Sequence, residues 1–231
     1  MLASNGYTSS LQALEAKRGW ANVVSTTNNL DRYIDTLGEV WEIQKNSFKP
    51  FPCGIVIHPV IDGCVQLRKD LQGAGISLDE IEGIDVKVHH LVLELTGKKT
   101  PKDGLEAKFS VYHGGAIGLV FGKGTPEQYE DYIVMSKEVL SVRDKITAVA
   151  DEKVKADECF ITVSVKGGKT FEKHVEHAVG SLEVPMTEEL LKEKFVDQCI
   201  PVLGGEGAKR ASEIAWGLES VEDVRDLAGS L

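Results

Sequence analysis

No apolar run in this chain approaches the roughly 20 residues that a helix needs to cross a bilayer. The longest candidate, from Ala116 to Phe121, is short and lies between Gly and Lys. The opening Met1-Leu2-Ala3-Ser4-Asn5 has no basic segment leading into an apolar one, so no secretory signal is expected, and a cytoplasmic protein is the default expectation. Basic residues are the minority, 26 against 36 acidic for a net charge of −10. That balance argues against a sequence-independent grip on nucleic acid, which needs a clustered basic surface. An anionic substrate would have to find a local cationic pocket, so individual Lys and Arg positions matter more than the total.

Cysteine is scarce too. Cys53, Cys64, Cys159 and Cys199 form no C-x-x-C pair and are irregularly spaced, which leaves a zinc site or disulfide framework unsupported and points to reduced, mostly buried thiols. No phosphate loop, G-x-S-x-G elbow, H-E-x-x-H helix or EF-hand spacing occurs. Gly122-Lys123-Gly124-Thr125 lacks the first glycine of a phosphate loop and follows a helical segment.

What remains is an ordinary globular composition, 42% apolar and 27% charged over 231 residues, enough for one large domain or two modest ones. Ser9 to Asp35 reads as short helices, one with a Ser9–Gln12 capping-box spacing and one capped at Asn28-Asn29. Lys49-Pro50-Phe51-Pro52 excludes helix interior. His58-Pro59 then starts a helix running to about Gln72, and Ser77 to Glu80 is a second capping box opening a short turn. Apolar alternation from Ile84 to Leu95 predicts a strand with a bulge or a twist at the phase slip His89-His90, whose side chains would then point to opposite faces. Residues 106–121 read as a helix rich in small residues, and Pro126 to Met135 as another. Strands follow over Ile146–Val154, Phe160–Val165 and Thr170–Val175, the last two joined as a hairpin by Gly167-Gly168. Thr187 caps a helix that Gly204-Gly205 ends, and Ser220 with Asp223 starts a final short one.

The fold class is therefore α+β. Both chain ends form a discontinuous helical layer around an inserted α+β lid, with boundaries at 1–48, 49–183 and 184–231. Two segments stand out chemically. Lys49 sits before two prolines on a stiff backbone, so its ammonium can be aimed with little entropy loss, to bind a carboxylate or move a proton. A solvated surface lysine is the plain alternative. In Glu106–Gly115, EAKFSVYHGG, the residues Lys108, Ser110, Tyr112 and His113 lie near one helix end, and His113 could exchange a proton near neutral pH. A packed helix with its polar groups toward solvent is the alternative here. His58 reads as a helix-entry residue, and His174 and His177 as surface residues of an edge strand.

At these residues the chain resembles the MmgE/PrpD family of 2-methylcitrate dehydratases and cis-aconitate decarboxylases, specifically its C-terminal part. KPFPCGIVIHPVIDG (Lys49–Gly63) is similar to the family's lysine-proline-aromatic segment, and LEAKFSVYHGGAIGLV (Leu105–Val120) to its AKFS helix. GYTSSLQALEAKRGW (Gly6–Trp20) and VPMTEELLKEKF (Val184–Phe195) resemble its flanking motifs, in the same order. The resemblance implies a helical domain with an inserted α+β lid and cofactor-independent lyase chemistry on a small polycarboxylate. Cis-aconitate-type decarboxylation stands slightly ahead, with 2-methylcitrate-type dehydration or dicarboxylate epimerisation as alternatives. It assigns catalysis to Lys49, with His113 or Tyr112 returning the proton. In the decarboxylase branch a histidine lies five positions after the lysine; here that position is Gly54. Family chains are longer, and their upstream half supplies an aspartate and two histidines. The expectation is thus a homodimer, pairing with a longer family member, or a non-catalytic truncated form, binding neither nucleic acid nor membrane.

Overall fold

The computed structural model describes residues 1–27 and 31–229. Its contacts divide the chain into two units, Met1–Asn46 and Ser47–Leu231. In the first unit the regular elements are short: a 3-10 turn at Ala3–Asn5, α1 (Trp20–Val24), α2 (Asp31–Ile34) and a 3-10 turn at Glu42–Lys45. The Ser9–Gln12 box does not form; Gln12 N–H instead bonds the Ser10 hydroxyl within a series of turns. The expected Asn28-Asn29 cap lies outside the described residues.

The second unit begins with the bend at Pro50–Cys53 and a 3-10 turn, Ile55–Ile57, that runs into α3 (His58–Gly73). Pro59 occupies the first turn of α3, where its missing N–H costs nothing, and Gly75, at φ +71°, reverses the chain just past its end. The Ser77–Glu80 capping box forms with both reciprocal bonds and leads directly into β1 (Ile81–Val88).

Here the structure departs from the sequence reading. The strand stops at Val88, His89 becomes an N-cap whose ring accepts the Leu91 N–H, and His90–Thr96 form a helix, α4. The phase slip at His89-His90 is a strand-to-helix switch, with Val92 and Thr96 buried one helical turn apart. The two rings sit side by side, centroids 4.1 Å apart, on no shared strand. The helix expected over 106–121 is broken as well. Gly104–Ala107 is a single turn, α5, and Ser110 caps a separate helix, α6 (Val111–Phe121), by accepting the His113 N–H. The segment 126–135 is a 3-10 turn (Pro126–Tyr129) followed by α7 (Asp131–Val134), and α8 (Lys137–Arg143) was not foreseen.

β2 (Ile146–Ala150), β3 (Cys159–Val165) and β4 (Thr170–Val175) complete a four-stranded sheet in the order β2-β1-β3-β4. β2 lies parallel to β1, and the other pairs are antiparallel. Gly167 and Gly168, both at positive φ, make the β3–β4 hairpin turn. After Thr187 the chain is helical again as α9 (Glu188–Trp216), which Gly204, at φ +68° and ψ 171°, divides into two helical segments at the place where the sequence put the helix end. Ala208, Ala211 and Ser212 are buried beyond it. The last helix is α10 (Arg225–Gly229), introduced by Asp223 accepting the Arg225 N–H rather than by a cap at Ser220.

Helices α3 and α6 cross at a glycine seam and cover one face of the sheet. A Cβ on Gly118 would stand 2.7 Å from the Cys64 Cβ and 2.9 Å from the Ile61 carbonyl; one on Gly114 would stand 2.6 Å from Ile57. Gly63 gives α3 the same close approach to Ile161 of β3. Ile57, Ile61, Cys64, Leu67, Ile117, Leu119, Ile84, Val86, Ile161 and Val163 form the dry centre. The opposite sheet face carries Asp85, Lys87, Phe160 and Glu172, all exposed, so the strands alternate as a half-covered sheet should. Cys53, Cys64 and Cys159 are buried free thiols, and Cys199 is half-buried.

Candidate active site

Three of the segments singled out in the sequence meet at the Lys49–Gly54 turn. Phe48 N–H donates to the Gly180 carbonyl (3.1 Å), the Lys194 ammonium of α9 donates to the Lys49 carbonyl (2.7 Å), and Gly54 N–H donates to the Lys108 carbonyl (3.1 Å). The 178–180 segment is itself tied to α3, where the Asp62 carboxylate accepts the Val179 N–H at 2.9 Å. The proline-rich turn is thus pinned at both ends. The fourth motif, Gly6–Trp20, belongs to the other unit.

Gly54 sits against a wall. A Cβ there would lie 2.8 Å from Thr96 Cγ2, and Thr96 is buried with its hydroxyl donated to the Val92 carbonyl at 2.5 Å. The place where the decarboxylase branch would carry a histidine is filled by a threonine methyl.

Lys49 is exposed and lines a cavity of about 380 Å³, within the size range of small-molecule sites. Phe48, Val56, His58, Asp157 and Glu183 line it too, and the wall is otherwise largely apolar. His58 is 3% exposed, and its Nε2 has no hydrogen-bond partner. Its ring meets Phe51 edge to face, centroids 5.3 Å apart. Burial, then the Lys49 charge, pushes the imidazole down to about 4, against a smaller opposing effect of the Cys53 and Phe51 carbonyls. At neutral pH His58 is uncharged, and Lys49 supplies the positive charge. Of the two carboxylates in the wall, Asp157 is engaged by His177 Nδ1 at 2.6 Å.

Tyr112 and His113 lie elsewhere. Tyr112 is 9% exposed and His113 wholly buried, and neither lines the Lys49 cavity. His113 Nε2 bonds the Gln128 carbonyl at 2.9 Å, its Nδ1 is unpaired, and burial pushes it down to about 4, with the Arg143 charge adding to that and the Gln128 carbonyl opposing it. Its ring packs on Tyr129 (centroids 5.3 Å apart), whose buried hydroxyl has the Cys53 thiol beside it and no well-formed bond. Burial raises the Cys53 thiol to about 11, while the Tyr129 hydroxyl, Lys49 and Lys108 draw it the other way. His113 is linked to the Lys49 turn through Tyr129 and Cys53. In the sequence His58, before a proline that opens a helix, reads as a helix-entry residue. It is that, and it also faces the lysine that the proline turn folds back toward it.

His174 and His177 are paired with carboxylates, Glu158 at 2.7 Å and Asp157 at 2.6 Å. Among the described residues no three His, Cys, Asp or Glu side chains are placed to hold a metal ion, and no helix is long and apolar enough to cross a membrane.

Comparison with known proteins bears on the same residues. Residues 51–220 match the model of the MmgE/PrpD C-terminal domain. A 2-methylcitrate dehydratase of Salmonella typhimurium is 26% identical over 108 residues, 46% of this chain and 22% of that protein. An alkylcitrate dehydratase from a fungal species is 27% identical over 213 residues, 84% of this chain and 41% of its own length. Mouse cis-aconitate decarboxylase is 25% identical over 202 residues, again 84% of this chain and 40% of its own. The chain thus spans less than half the length of each of these relatives. The match covers most of the second unit, from Phe51 through the sheet and α9, and the chain belongs to the MmgE/PrpD family.

Proposed function

We propose that this chain carries the carboxylate-anchoring part of a lyase acting on a citrate- or aconitate-type acid, with loss of water as the favoured reaction. The observation that carries this reading is the placement of Lys49, which lines a cavity of small-molecule size on a turn tied to Gly180, Lys194 and Lys108. A polycarboxylate entering there finds a lysine beside a mostly apolar wall. A charge-assisted bond in that setting is stronger than in water. When a proton leaves the carbon next to the held carboxylate, negative charge spreads onto its oxygens, and Lys49 stabilises that developing charge. The electron pair of the broken C–H bond forms the C=C bond, and the hydroxyl on the neighbouring carbon departs as water.

Dehydration is placed ahead of decarboxylation on account of Gly54. The sequence resemblance favoured decarboxylation, but the position of the decarboxylase-branch histidine is a glycine packed on Thr96. Two of the relatives described are dehydratases by name. Decarboxylation is the second reading, supported by the mouse relative's name and its alignment over 84% of the chain. Neither Tyr112 nor His113 lines the Lys49 cavity, so in either case this reading gives them no contact with substrate.

Calorimetric titration of 2-methylcitrate into the wild-type chain and a Lys49→Ala variant tests the anchor. Loss of one charge-assisted bond, about 1.5–3 kcal/mol, weakens binding by about 10- to 150-fold. Equal affinity for the two proteins would remove Lys49 from the site.

A further inference from the structure

We infer that His58 is the catalytic residue that moves the proton in the Lys49 cavity, an inference that rests on the carboxylate-anchoring role of Lys49. Three features carry it. His58 lines the same cavity as Lys49. It is 97% buried by its 3% exposure, yet its Nε2 has no partner. A buried ring nitrogen left unpaired costs about 1–3 kcal/mol, and such groups are retained where they serve chemistry. The side chain is also held by more than packing: Phe51 abuts the ring edge to face, and Pro59 fixes the first turn of the helix that carries it.

A neutral imidazole is the form this role requires. Its free Nε2 lone pair accepts the proton from the carbon beside the anchored carboxylate, and that bond's electrons become the new C=C bond. The hydroxyl on the adjacent carbon leaves with its own bonding pair. The imidazolium then returns its proton to that hydroxyl, so that water departs and His58 is neutral again. No oxidant, reductant or further reactant enters.

The charged groups around His58 set when this works. Lys49 stands in the cavity wall and Lys194 of α9 is bonded to the Lys49 carbonyl, both charges opposing protonation. Asp157 and Glu183 line the wall with the opposite sign, and Asp157 is already engaged by His177. A bound tricarboxylate offsets the lysines, which favours the transient imidazolium only while substrate is present.

The test uses the full chain and propane-1,2,3-tricarboxylate, an unreactive analogue without a hydroxyl. Histidine ring resonances are followed by NMR as the analogue is added, with His58→Gln to assign His58. The expected result is a shift of the His58 ring signals and a rise in its apparent pKa, both lost in Lys49→Ala. In deuterium oxide, wild-type protein is expected to exchange the carbon-bound proton of 2-methylcitrate, and His58→Gln to slow this 100-fold or more while binding the acid within a few-fold of wild type. Analogue binding that depends on Lys49 but leaves His58 unmoved, or undiminished exchange in His58→Gln, overturns the role of His58 and leaves the anchor standing. No binding by the folded chain overturns both.

Discussion

Replacing Gly54 by alanine isolates one contact on which the choice of reaction rests. The backbone there has φ −56° and ψ 130°, a conformation any residue adopts, so the substitution carries no conformational penalty. What it adds is one methyl group, 2.8 Å from Thr96 Cγ2 where ordinary carbon contacts are about 3.5–4.0 Å. The neighbour cannot swing aside freely, because Thr96 is buried at 2% exposure and its hydroxyl is bonded to the Val92 carbonyl. Overpacking of this kind costs about 1–3 kcal/mol. Thr96→Ser removes the obstructing methyl, keeps the hydroxyl bond, and leaves the Lys108 carbonyl, 3.7 Å from the new Cβ, as the nearest remaining neighbour. Urea unfolding of the two single variants and the double variant closes the cycle. The double is expected to recover most of the loss, a coupling of about 1–2 kcal/mol. Full stability of Gly54→Ala alone, or no recovery on adding Thr96→Ser, would refute the claim that Thr96 excludes a side chain at position 54. In the Thr96→Ser background Gly54→His is expected to fold.

Further outcomes follow from the same structure. Gly118→Ala places a Cβ 2.7 Å from Cys64 and 2.9 Å from the Ile61 carbonyl, and backbone yields less readily than a methyl. Its loss in urea unfolding should reach the top of the roughly 1–3 kcal/mol range or exceed it. Stability should also fall on acidification, because His58 and His113 are each pushed down to about 4 from the ordinary 6.5. Between those values the unfolded chain binds protons that the folded chain refuses, so stability is complete above pH 6.5 and declines as pH drops toward 4, by about 3 kcal/mol per histidine. His113→Gln should flatten that slope in pH-dependent unfolding, and an unchanged slope would show that His113 is not the buried neutral group described. Lys49→Ala should leave far-ultraviolet circular dichroism and the unfolding midpoint unchanged while 2-methylcitrate binding weakens, since the side chain is exposed.

Local chemistry was legible in the sequence wherever a backbone group had its partner a few residues away. Pro59 opening α3, the Ser77–Glu80 box, the Gly167-Gly168 turn and the Thr187 cap all appear in the structure. The alternation through Leu91, Leu93 and Leu95 misled because a seven-residue helix offers only two turns, too few to separate a period of 3.6 from one of 2. Ser110 three residues before His113, and Ser136 before Val139, were cap signals that went unread, and with them the break before α6 and the whole of α8. The Lys49 turn stood out through its prolines. That it folds back onto His58 depends on bonds to Gly180, Lys108 and Lys194, which are 54 or more residues away along the chain, and no local pattern encodes them.

The most direct test of the lyase reading is proton NMR of the purified chain, folded by circular dichroism, incubated separately with 2-methylcitrate and with cis-aconitate. The expected result is that 2-methylcitrate loses water to give an alkene signal, that Lys49→Ala abolishes it, and that release of carbon dioxide from cis-aconitate is the slower reaction. A folded wild-type chain that leaves both acids unchanged would contradict it.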